Sequence, residues 1–280
     1  MIVALLLGRK GSQGYPGKNT LPIFGHPLAW YPMQTALAVS EIDHVYLSTD
    51  DPKLKRIATN LEVEIIERPK YLANDKALGE HAYVHGFEEI KKRNSEQRIE
   101  MMVLLFCNAA TISVKAICEG IALLREKPSF DSAVTVSRYN MWSPLRARKL
   151  NNEGCLLPYV PFEIFGDPKT LNCDRDSQGD VFFADMGCSV VRPHCLEALE
   201  TGMLPQKWMG NKIAPIFQEA GCDIDYEWQV PVVEWWLKKF GTNLMNSKPF
   251  STFITDQNVE IPFFGSLSMK NALVKALRNY

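Results

Sequence analysis

Short apolar runs alternate with amphipathic segments along most of the chain. The apolar runs, which are typical of buried strands, are residues 2–7, 45–49, 63–66, 101–106, 132–136 and 189–191. The segments with apolar residues at helical spacing are 28–40, 52–60, 80–94, 114–125 and 227–240. Strands that alternate with helices favour a doubly wound, mostly parallel sheet. The pattern therefore predicts an α/β fold, with the wholly apolar strand 101–106 near the centre of the sheet.

The alternation is interrupted between residues 138 and 180, where proline, asparagine, glycine and aromatic residues are frequent. A structureless loop of about 40 residues is uncommon inside a compact domain. We therefore expect a small insert that packs against a second subunit, which would make the protein a homodimer. The expected organisation is a domain of residues 1–240, which includes the insert 138–180, followed by a C-terminal extension, 241–280.

A glycine-rich, basic loop follows the first apolar run. Residues 8–19 read Gly-Arg-Lys-Gly-Ser-Gln-Gly-Tyr-Pro-Gly-Lys-Asn. Glycine lets backbone N–H groups approach a ligand closely, and a row of such groups beside Arg9, Lys10 and Lys18 is suited to phosphate. Ligands of doubly wound sheets bind at the carboxyl ends of the strands, where this loop is placed. The sequence therefore predicts a phosphate-binding loop rather than an ordinary basic surface loop.

The spacing of the loop excludes the two commonest nucleotide motifs. A P-loop has four residues between its glycines and a hydroxyl residue after the lysine. Here five residues separate Gly11 from Gly17, and Asn19 follows the lysine. The dinucleotide pattern Gly-x-Gly-x-x-Gly also fails, because Gly8, Gly11 and Gly14 are spaced by three.

Two aspartates far along the chain form the second chemical feature. Asp223-Ile224-Asp225 reads as a strand, on which residues two apart point to the same side. Two carboxylates so close together are unfavourable unless a cation lies between them. Oxygen ligands favour a hard ion such as Mg²⁺, which also binds substrate phosphates. The alternative is that Asp225 only caps the following helix and that Asp223 is exposed.

Composition and charge exclude several kinds of partner and location. The chain has 280 residues, a net charge of −1 and 46% hydrophobic residues, so neither nucleic acid nor an anionic membrane is an expected partner. No apolar run approaches the roughly 18 residues of a membrane span, and no basic segment precedes residues 2–7 as in a signal peptide. The seven cysteines show no paired spacing, so we expect reduced thiols in a cytoplasmic protein. His194, which lies between Cys188 and Cys195, lacks the partners of a zinc site.

The loop and the aspartate pair together resemble the acylneuraminate cytidylyltransferases, which activate sialic acid as its CMP conjugate. The loop residues that match the family pattern are Arg9, Gly11, Ser12, Gly14, Pro16, Lys18 and Asn19, whereas Lys10 and Gln13 differ. Asp-Ile-Asp-Tyr-Glu at 223–227 matches the family's Asp-x-Asp before its final helix. The resemblance spans residues 2–240 and implies a Rossmann-like nucleotidyltransferase fold with a dimerisation subdomain near 138–180.

The resemblance also implies roles for individual residues. The catalytic residues are then Arg9, Lys18, Asp223 and Asp225, of which the two aspartates hold Mg²⁺. The implied nucleotide contacts are Leu7, Gly8, Arg9, Gly11, Ser12, Lys18, Asn19, Arg68 and Asn108. The implied contacts to the sugar acid are Arg175, Gln178 and Asp185, with Arg146 and Arg148 as alternatives to Arg175 because arginine binds a carboxylate bidentately.

The segments between the loop 8–19 and the aspartates at 223–225 match the family pattern unevenly. Ser48-Thr49-Asp50 matches a strand end of the family, for which we expect a structural role. Arg68 matches a family segment that lines the cytidine-binding side of the site. It is either a donor to the base or ribose or an exposed loop arginine. After the central strand, the family's Leu-Gln-Pro-Thr-Ser-Pro is replaced by Leu-Phe-Cys-Asn-Ala-Ala. Asn108 is the candidate replacement for a hydroxyl contact to the nucleotide or sugar. Asp185-Met186-Gly187 is expected to form a turn before the next strand, in which Gly187 meets a backbone requirement.

These features predict a CTP-dependent transferase that converts a sialic-acid-like 2-keto sugar acid to its CMP-sugar and releases pyrophosphate. One alternative keeps this chemistry on another acceptor, such as legionaminic or pseudaminic acid, an eight-carbon keto acid or a phosphonate. The other alternative is a non-catalytic nucleotide-binding protein. The presence of Arg9, Lys18, Asp223 and Asp225 argues against it.

Overall fold

The fold is known from a computed structural model that describes residues 1–11, 14–174 and 179–241. All of these residues belong to one compact unit, Met1–Pro249. Four residues that the sequence assigned to the loop and the sugar-acid site, together with most of the extension, lie outside the described residues. They are Ser12, Gln13, Arg175 and Gln178.

The strands of the described chain are short and mostly buried. They are β1 (Ile2–Leu7), β2 (Pro22–Ile23), β3 (His26–Pro27), β4 (His44–Thr49), β5 (Glu64–Glu67), β6 (Met101–Phe106), β7 (Ser132–Arg138), β8 (Arg148–Leu150), β9 (Leu156–Pro158), β10 (Phe182–Val191) and β11 (Ile213–Gln218). The α-helices are α1 (Trp30–Leu37), α2 (Pro52–Asn60), α3 (Gly79–Arg93), α4 (Val114–Glu126), α5 (His194–Glu197) and α6 (Val230–Phe240).

In the part of the chain that the structure describes, seven strands form the central sheet, in the order β11-β7-β10-β6-β1-β4-β5. β1 pairs in parallel with β4 and β6, β4 with β5, and β7 with β11. β10 runs antiparallel between β6 and β7. The sheet is therefore mostly parallel, as the sequence predicted, with β6 in the middle of the order.

Local sequence explains where the helices begin and how they pack. Asp51 caps α2, because its Oδ1 accepts a hydrogen bond from the backbone N–H of Lys53 and proline follows the cap. α3 packs against β1 so closely that a Cβ at Gly86 would lie 2.6 Å from a Leu5 methyl group. Glycine is therefore required there for the helix to reach the sheet.

Three expectations about strands were wrong or incomplete. Residues 223–225 form no strand, although Ile224 is buried between its two partly exposed neighbours. β10 begins at Phe182, so Asp185-Met186-Gly187 lies inside this strand, at an irregularity between Ala184 and Ser189, instead of in a turn before it. β11 was not predicted. Its proline, Pro215, is tolerated because β11 lies at the edge of the sheet.

The described part of the insert 138–180 contains the antiparallel hairpin of β8 and β9 with several 3₁₀ turns around it. Large apolar side chains are exposed there, and Leu150 and Ile164 each have 70% of their surface open to solvent. The predicted role of this insert in dimer formation stays a prediction. Within the described residues, no helix has both the length and the apolar character needed to cross a membrane.

Candidate active site

The candidate site lies where β1, β4 and β6 reach their carboxyl ends. After Leu7 the chain passes through a narrow space, because a Cβ at Gly8 would lie 2.4 Å from Leu54 Cδ1 and 2.7 Å from Cys107 Sγ. Glycine at this position therefore allows the loop 8–19 to leave the sheet between α2 and the residue after β6. The backbone of Lys10 anchors the loop to the residue after β4, since its N–H donates to Asp50 Oδ1 at 2.8 Å.

The cations of the loop face carboxylates on other segments. Arg9 Nη1 lies 2.7 Å from Asp75 Oδ1, and Lys18 Nζ forms an ion pair with Asp225 Oδ1. The Lys18 side chain is mostly buried, with 11% of its surface exposed. Asn19, another predicted loop residue, donates from Nδ2 to the carbonyl oxygen of Arg9 at 3.5 Å. Arg9 and Lys18 thus form ion pairs in which phosphate oxygens could replace the carboxylates.

The loop and the aspartate segment meet directly, as the pairing of the two motifs in the sequence implies. Besides the ion pair of Lys18 with Asp225, the backbone of Gly14 approaches the carbonyl oxygen of Asp225. A Cβ at residue 14 would lie 2.8 Å from that oxygen. Any side chain there would push the two segments apart.

Side chains, rather than a strand ladder, hold the aspartate segment in place. The backbone N–H of Ile224 donates to the carbonyl oxygen of Asn108 at 2.9 Å, and Asn108 Nδ2 donates back to the carbonyl oxygen of Ile224 at 3.1 Å. The same Nδ2 lies 3.0 Å from Asp223 Oδ2 and 3.5 Å from Asp225 Oδ1. Gln229 Oε1 accepts from the backbone N–H of Asp225 at 2.7 Å. Sequence reasoning missed Gln229, although its spacing after the segment fits the side-chain capping of a helix start.

Asp225 lies close enough to Asp223 for its charge to affect the ionisation of Asp223. Burial and the charge of Asp225 raise the pKa of Asp223 above its ordinary value, while Lys18 and the hydrogen bond from Asn108 act in the opposite direction. The ionised pair is therefore under-compensated, which favours a cation. Hard carboxylate oxygens of this kind fit Mg²⁺. Within the described residues no group of three or more His, Cys, Asp and Glu side chains could hold a metal ion, so the remaining ligands of such an ion would be substrate oxygens or water.

Arg68 is buried, with 7% of its surface exposed, so the alternative of an exposed loop arginine is wrong. Its Nη2 donates to the carbonyl oxygen of Ser48 at 2.7 Å and its Nε to Ser48 Oγ at 3.2 Å. Burial lowers the pKa of this guanidinium, with partial compensation from the acidic side chains nearby. These bonds tie the end of β5 to the end of β4, and a contact to the nucleotide stays a prediction.

The described residues of the predicted sugar-acid site are bonded within the protein. Asp185 is buried, and its Oδ2 accepts hydrogen bonds from Ser137 Oγ at 2.7 Å and from Gln218 Nε2 at 2.9 Å. Arg146 donates to the carbonyl oxygen of Cys173, and Arg148 donates to backbone carbonyls of its own segment. Asp185 thus stabilises the irregular part of β10. The structure does not bring any of these three to the ion pairs of the loop.

Comparison with solved structures identifies the class of fold. CMP:2-keto-3-deoxy-manno-octonic acid synthetase, solved with CTP, matches with a TM-score of 0.59 at 18% identity, over 85% of this chain and 98% of that chain. A 4-diphosphocytidyl-2C-methyl-D-erythritol synthase matches with a TM-score of 0.59 at 10% identity, over 84% of this chain and 98% of that chain. The described sheet and helices therefore have the fold of nucleotidyltransferases.

Sequence comparison finds cytidylyltransferases among the proteins that this chain resembles. The family model described as "Cytidylyltransferase" matches residues 3–109. The N-acylneuraminate cytidylyltransferase of Escherichia coli is 29% identical over 140 residues, which are 50% of this chain and 32% of that protein. The Oncorhynchus mykiss protein of the same name is 22% identical over 240 residues, 86% of this chain and 51% of that protein.

A third relative, from Helicobacter pylori, combines a pseudaminic acid cytidylyltransferase with a hydrolase. It is 25% identical over 151 residues, 54% of this chain and 28% of that protein. The chain thus spans about half or less of the length of these curated relatives. These matches confirm the predicted resemblance to the acylneuraminate cytidylyltransferases.

Proposed function

We propose that the protein is a CTP-dependent transferase that joins CMP to a sialic-acid-like 2-keto sugar acid. The observation that carries the proposal is the contact between the glycine-rich basic loop and the aspartate pair, where Lys18 bonds to Asp225 and Gly14 lies against the same residue. This contact supports the proposal because the glycine-rich basic loop then lies beside two carboxylates at the carboxyl ends of the strands. Nucleotides bind doubly wound sheets at this edge.

The ion pairs of the loop indicate how a triphosphate would enter. Arg9 and Lys18 are each neutralised by a carboxylate, Asp75 and Asp225, so phosphate oxygens would replace those carboxylates as the partners of the two cations. Phosphate binding would release Asp225 from Lys18 and leave its carboxylate available to a metal ion. We therefore expect CTP and Mg²⁺ to bind cooperatively.

The reaction that fits this arrangement is an in-line displacement at phosphorus. The anomeric hydroxyl oxygen of the sugar acid forms a bond to the α-phosphorus of CTP, and the bond to the bridging oxygen of the β-phosphate breaks. The products are the CMP-sugar, pyrophosphate and the hydroxyl proton, which passes to solvent. Arg9 and Lys18 stabilise the negative charge on the phosphate oxygens, and Asp223 and Asp225 would hold Mg²⁺. When bound there, Mg²⁺ supplies positive charge at the reacting phosphate.

The choice of CTP and of an acidic sugar follows from the relatives rather than from the geometry. The relatives' names specify acylneuraminate and pseudaminic acid as acceptors, and one solved neighbour an octonic acid with CTP. The altered stretch at the end of β6 and just after it, where Phe106, Asn108 and Ala109 stand in place of the family's Gln, Thr and Ser, supports an acceptor outside the usual sialic acids. A panel of eight- and nine-carbon 2-keto sugar acids and a phosphonate, assayed with each of the four nucleoside triphosphates for pyrophosphate release, tests the proposal.

Two substitutions test the metal role. We expect Asp223→Asn and Asp225→Asn each to abolish turnover while CTP still binds, since the loop cations remain. The matched control is Asp167→Asn, which changes an exposed helix-capping aspartate in the insert, outside the proposed site. Near-normal turnover in either site variant would contradict the metal role, and no turnover of any acceptor by the unmodified protein would favour the non-catalytic alternative.

The exposed apolar side chains of the insert support a homodimer. Leu150 and Leu156 on the hairpin of β8 and β9 are 70% and 67% exposed, and Tyr159 beyond it is 63% exposed. Burial of such side chains against a second copy would remove them from water. Light scattering after size-exclusion chromatography should give the dimer mass, and Leu150→Glu with Leu156→Glu should give the monomer. A monomeric unmodified protein would contradict this part of the proposal.

A further inference from the structure

Asn108 occupies a central place in the candidate site that its sequence position does not reveal. It follows the end of β6 and is buried, with 8% of its surface exposed. Its Nδ2 faces three acceptor oxygens, one on each residue of the aspartate segment: Asp223 Oδ2 at 3.0 Å, the Ile224 carbonyl at 3.1 Å and Asp225 Oδ1 at 3.5 Å. An amide nitrogen has only donors to offer, so it suits a site made entirely of acceptors.

The backbone of the same residue completes the attachment. The N–H of Ile224 donates to the carbonyl oxygen of Asn108 at 2.9 Å, so backbone and side chain together fix both polar groups of Ile224. The side chain replaces the backbone N–H that a neighbouring strand would supply. The aspartate segment therefore keeps alternating side chains without belonging to the sheet.

The attachment of the aspartate segment to Asn108 matters because the segment carries two negative charges close together. Asp223 and Asp225 repel each other when both are ionised, and the segment that carries them is not paired with a strand of the sheet. A donor between the two carboxylates offsets the repulsion and keeps the oxygens on the same side. A hydrogen bond to an ionised group is stronger than one between neutral groups.

We propose that Asn108 is a positioning residue that holds the carboxylates of Asp223 and Asp225 together as a ready-made pair of metal ligands. The inference rests on the proposed function, because it concerns the metal of that site. It differs from the sequence-based expectation of a nucleotide contact, since the amide is directed at the protein's own carboxylates. The residue would act through the two aspartates, to which its side chain is bonded.

The test uses the full chain with Asn108→Ala and Asn108→Ser, where serine keeps one donor. Asn94→Ala is the matched control, because Asn94 Nδ2 also donates to more than one acceptor within the protein, namely Tyr46 Oη at 3.1 Å and the Ile90 carbonyl at 2.9 Å, away from the site. Mn²⁺ binding is measured by electron paramagnetic resonance with and without CTP. CTP binding is measured separately in EDTA.

Removal of a side chain that orients metal ligands weakens metal binding about 10- to 100-fold. We expect a loss of that size in Asn108→Ala, a smaller loss in Asn108→Ser and no change in Asn94→Ala. CTP binding in EDTA should be unchanged in all three. The Mg²⁺ concentration for half-maximal pyrophosphate release should rise in parallel, and excess Mg²⁺ should restore kcat.

Two results would overturn the inference while leaving the proposed function intact. One is Mn²⁺ binding in a folded Asn108→Ala protein equal to that of the unmodified protein. The other is a loss of CTP binding in EDTA with Mn²⁺ binding unchanged, which would make Asn108 a nucleotide contact. If the unmodified protein binds no Mn²⁺ with or without CTP, the metal role in the proposed function fails and the inference fails with it. Should Asn108→Ala not fold, Asn108→Ser decides by the same measurements.

Discussion

Replacement of Gly14 by alanine tests whether the basic loop must lie directly against the aspartate segment. The added Cβ would lie 2.8 Å from the carbonyl oxygen of Asp225, whereas ordinary contacts begin at 3.4 Å. The obstacle is a backbone atom, so it cannot be avoided by rotation of a side chain. The loop and the segment would have to separate, and Lys18 would move away from Asp225 with them.

The size of the effect follows from that distance. The separation required is about 0.6 Å, and a misplacement of about 1 Å in an active site lowers the rate about 100-fold. If the logarithm of the rate scales with the displacement, Gly14→Ala lowers kcat by about 10- to 20-fold. Gly14 is exposed, so the melting temperature should change little. The assay is pyrophosphate release at saturating CTP and Mg²⁺, with the acceptor chosen by the panel.

The control separates the contact from the general loss of a glycine. Gly154, in the turn between β8 and β9, has a φ of 79° and no atom within 4 Å of an added Cβ. Gly154→Ala therefore costs backbone strain of about 1 to 2 kcal/mol without a clash, and kcat should not change. A full kcat in Gly14→Ala would refute the reasoning, because the loop would then not need its place against Asp225.

Three further predictions concern stability and reactivity. Burial raises the pKa of Asp131, but the hydrogen bonds from the backbone N–H groups at 211–212 and the contact with His194 together outweigh burial and lower the pKa. The stability it provides is therefore present above its unfolded pKa, about 3.9, and is lost as the pH falls through the lower folded value. Asp131→Asn should cost about 1 to 3 kcal/mol at neutral pH, and a urea-unfolding difference that persists at low pH would contradict this. Gly187→Ala places a Cβ 2.9 to 3.0 Å from three polar atoms and should lower stability by about 1 to 3 kcal/mol in the same assay. Burial raises the pKa of Cys107 to about 12, so in the native protein this thiol should not react with Ellman's reagent, whereas the exposed Cys155 should react at once.

The alternation of strands and helices could be predicted because burial imposes it on the sequence. β6 and α2 begin and end where the pattern places them, since one is wholly apolar and the other starts at an aspartate followed by proline. β11 escaped notice because Pro215 argues against a strand unless the strand is known to lie at an edge. The antiparallel direction of β10 could not be predicted, because the sequence of a short apolar run does not indicate the direction of the strand in the sheet.

The candidate site was predictable in its parts but not in its connections. The loop cations and the two aspartates carry charges and spacing that point to phosphate and metal. The contacts between these parts depend on side-chain directions that the whole fold sets. They are the bond of Lys18 to Asp225, the bonds of Asn108 to both aspartates and the burial of Arg68 against Ser48. Asp223 and Asp225 were expected on a strand because spacing by two suggests one. Asn108 and Gln229 supply the hydrogen bonds instead.

The ion pair of Lys18 with Asp225 joins residues that are 207 positions apart in the chain. During synthesis at the usual rates, the aspartate follows the lysine by about 10 to 40 s. Until then the nascent chain carries Lys18 without the carboxylate of Asp225 and without either of the proposed metal ligands. Contacts between such distant positions also form late in folding, since a long loop must close first. If the proposed function is correct, activity is thus among the last properties that the protein acquires, and an incomplete or partly folded chain would have the basic loop without the aspartates that the reaction needs.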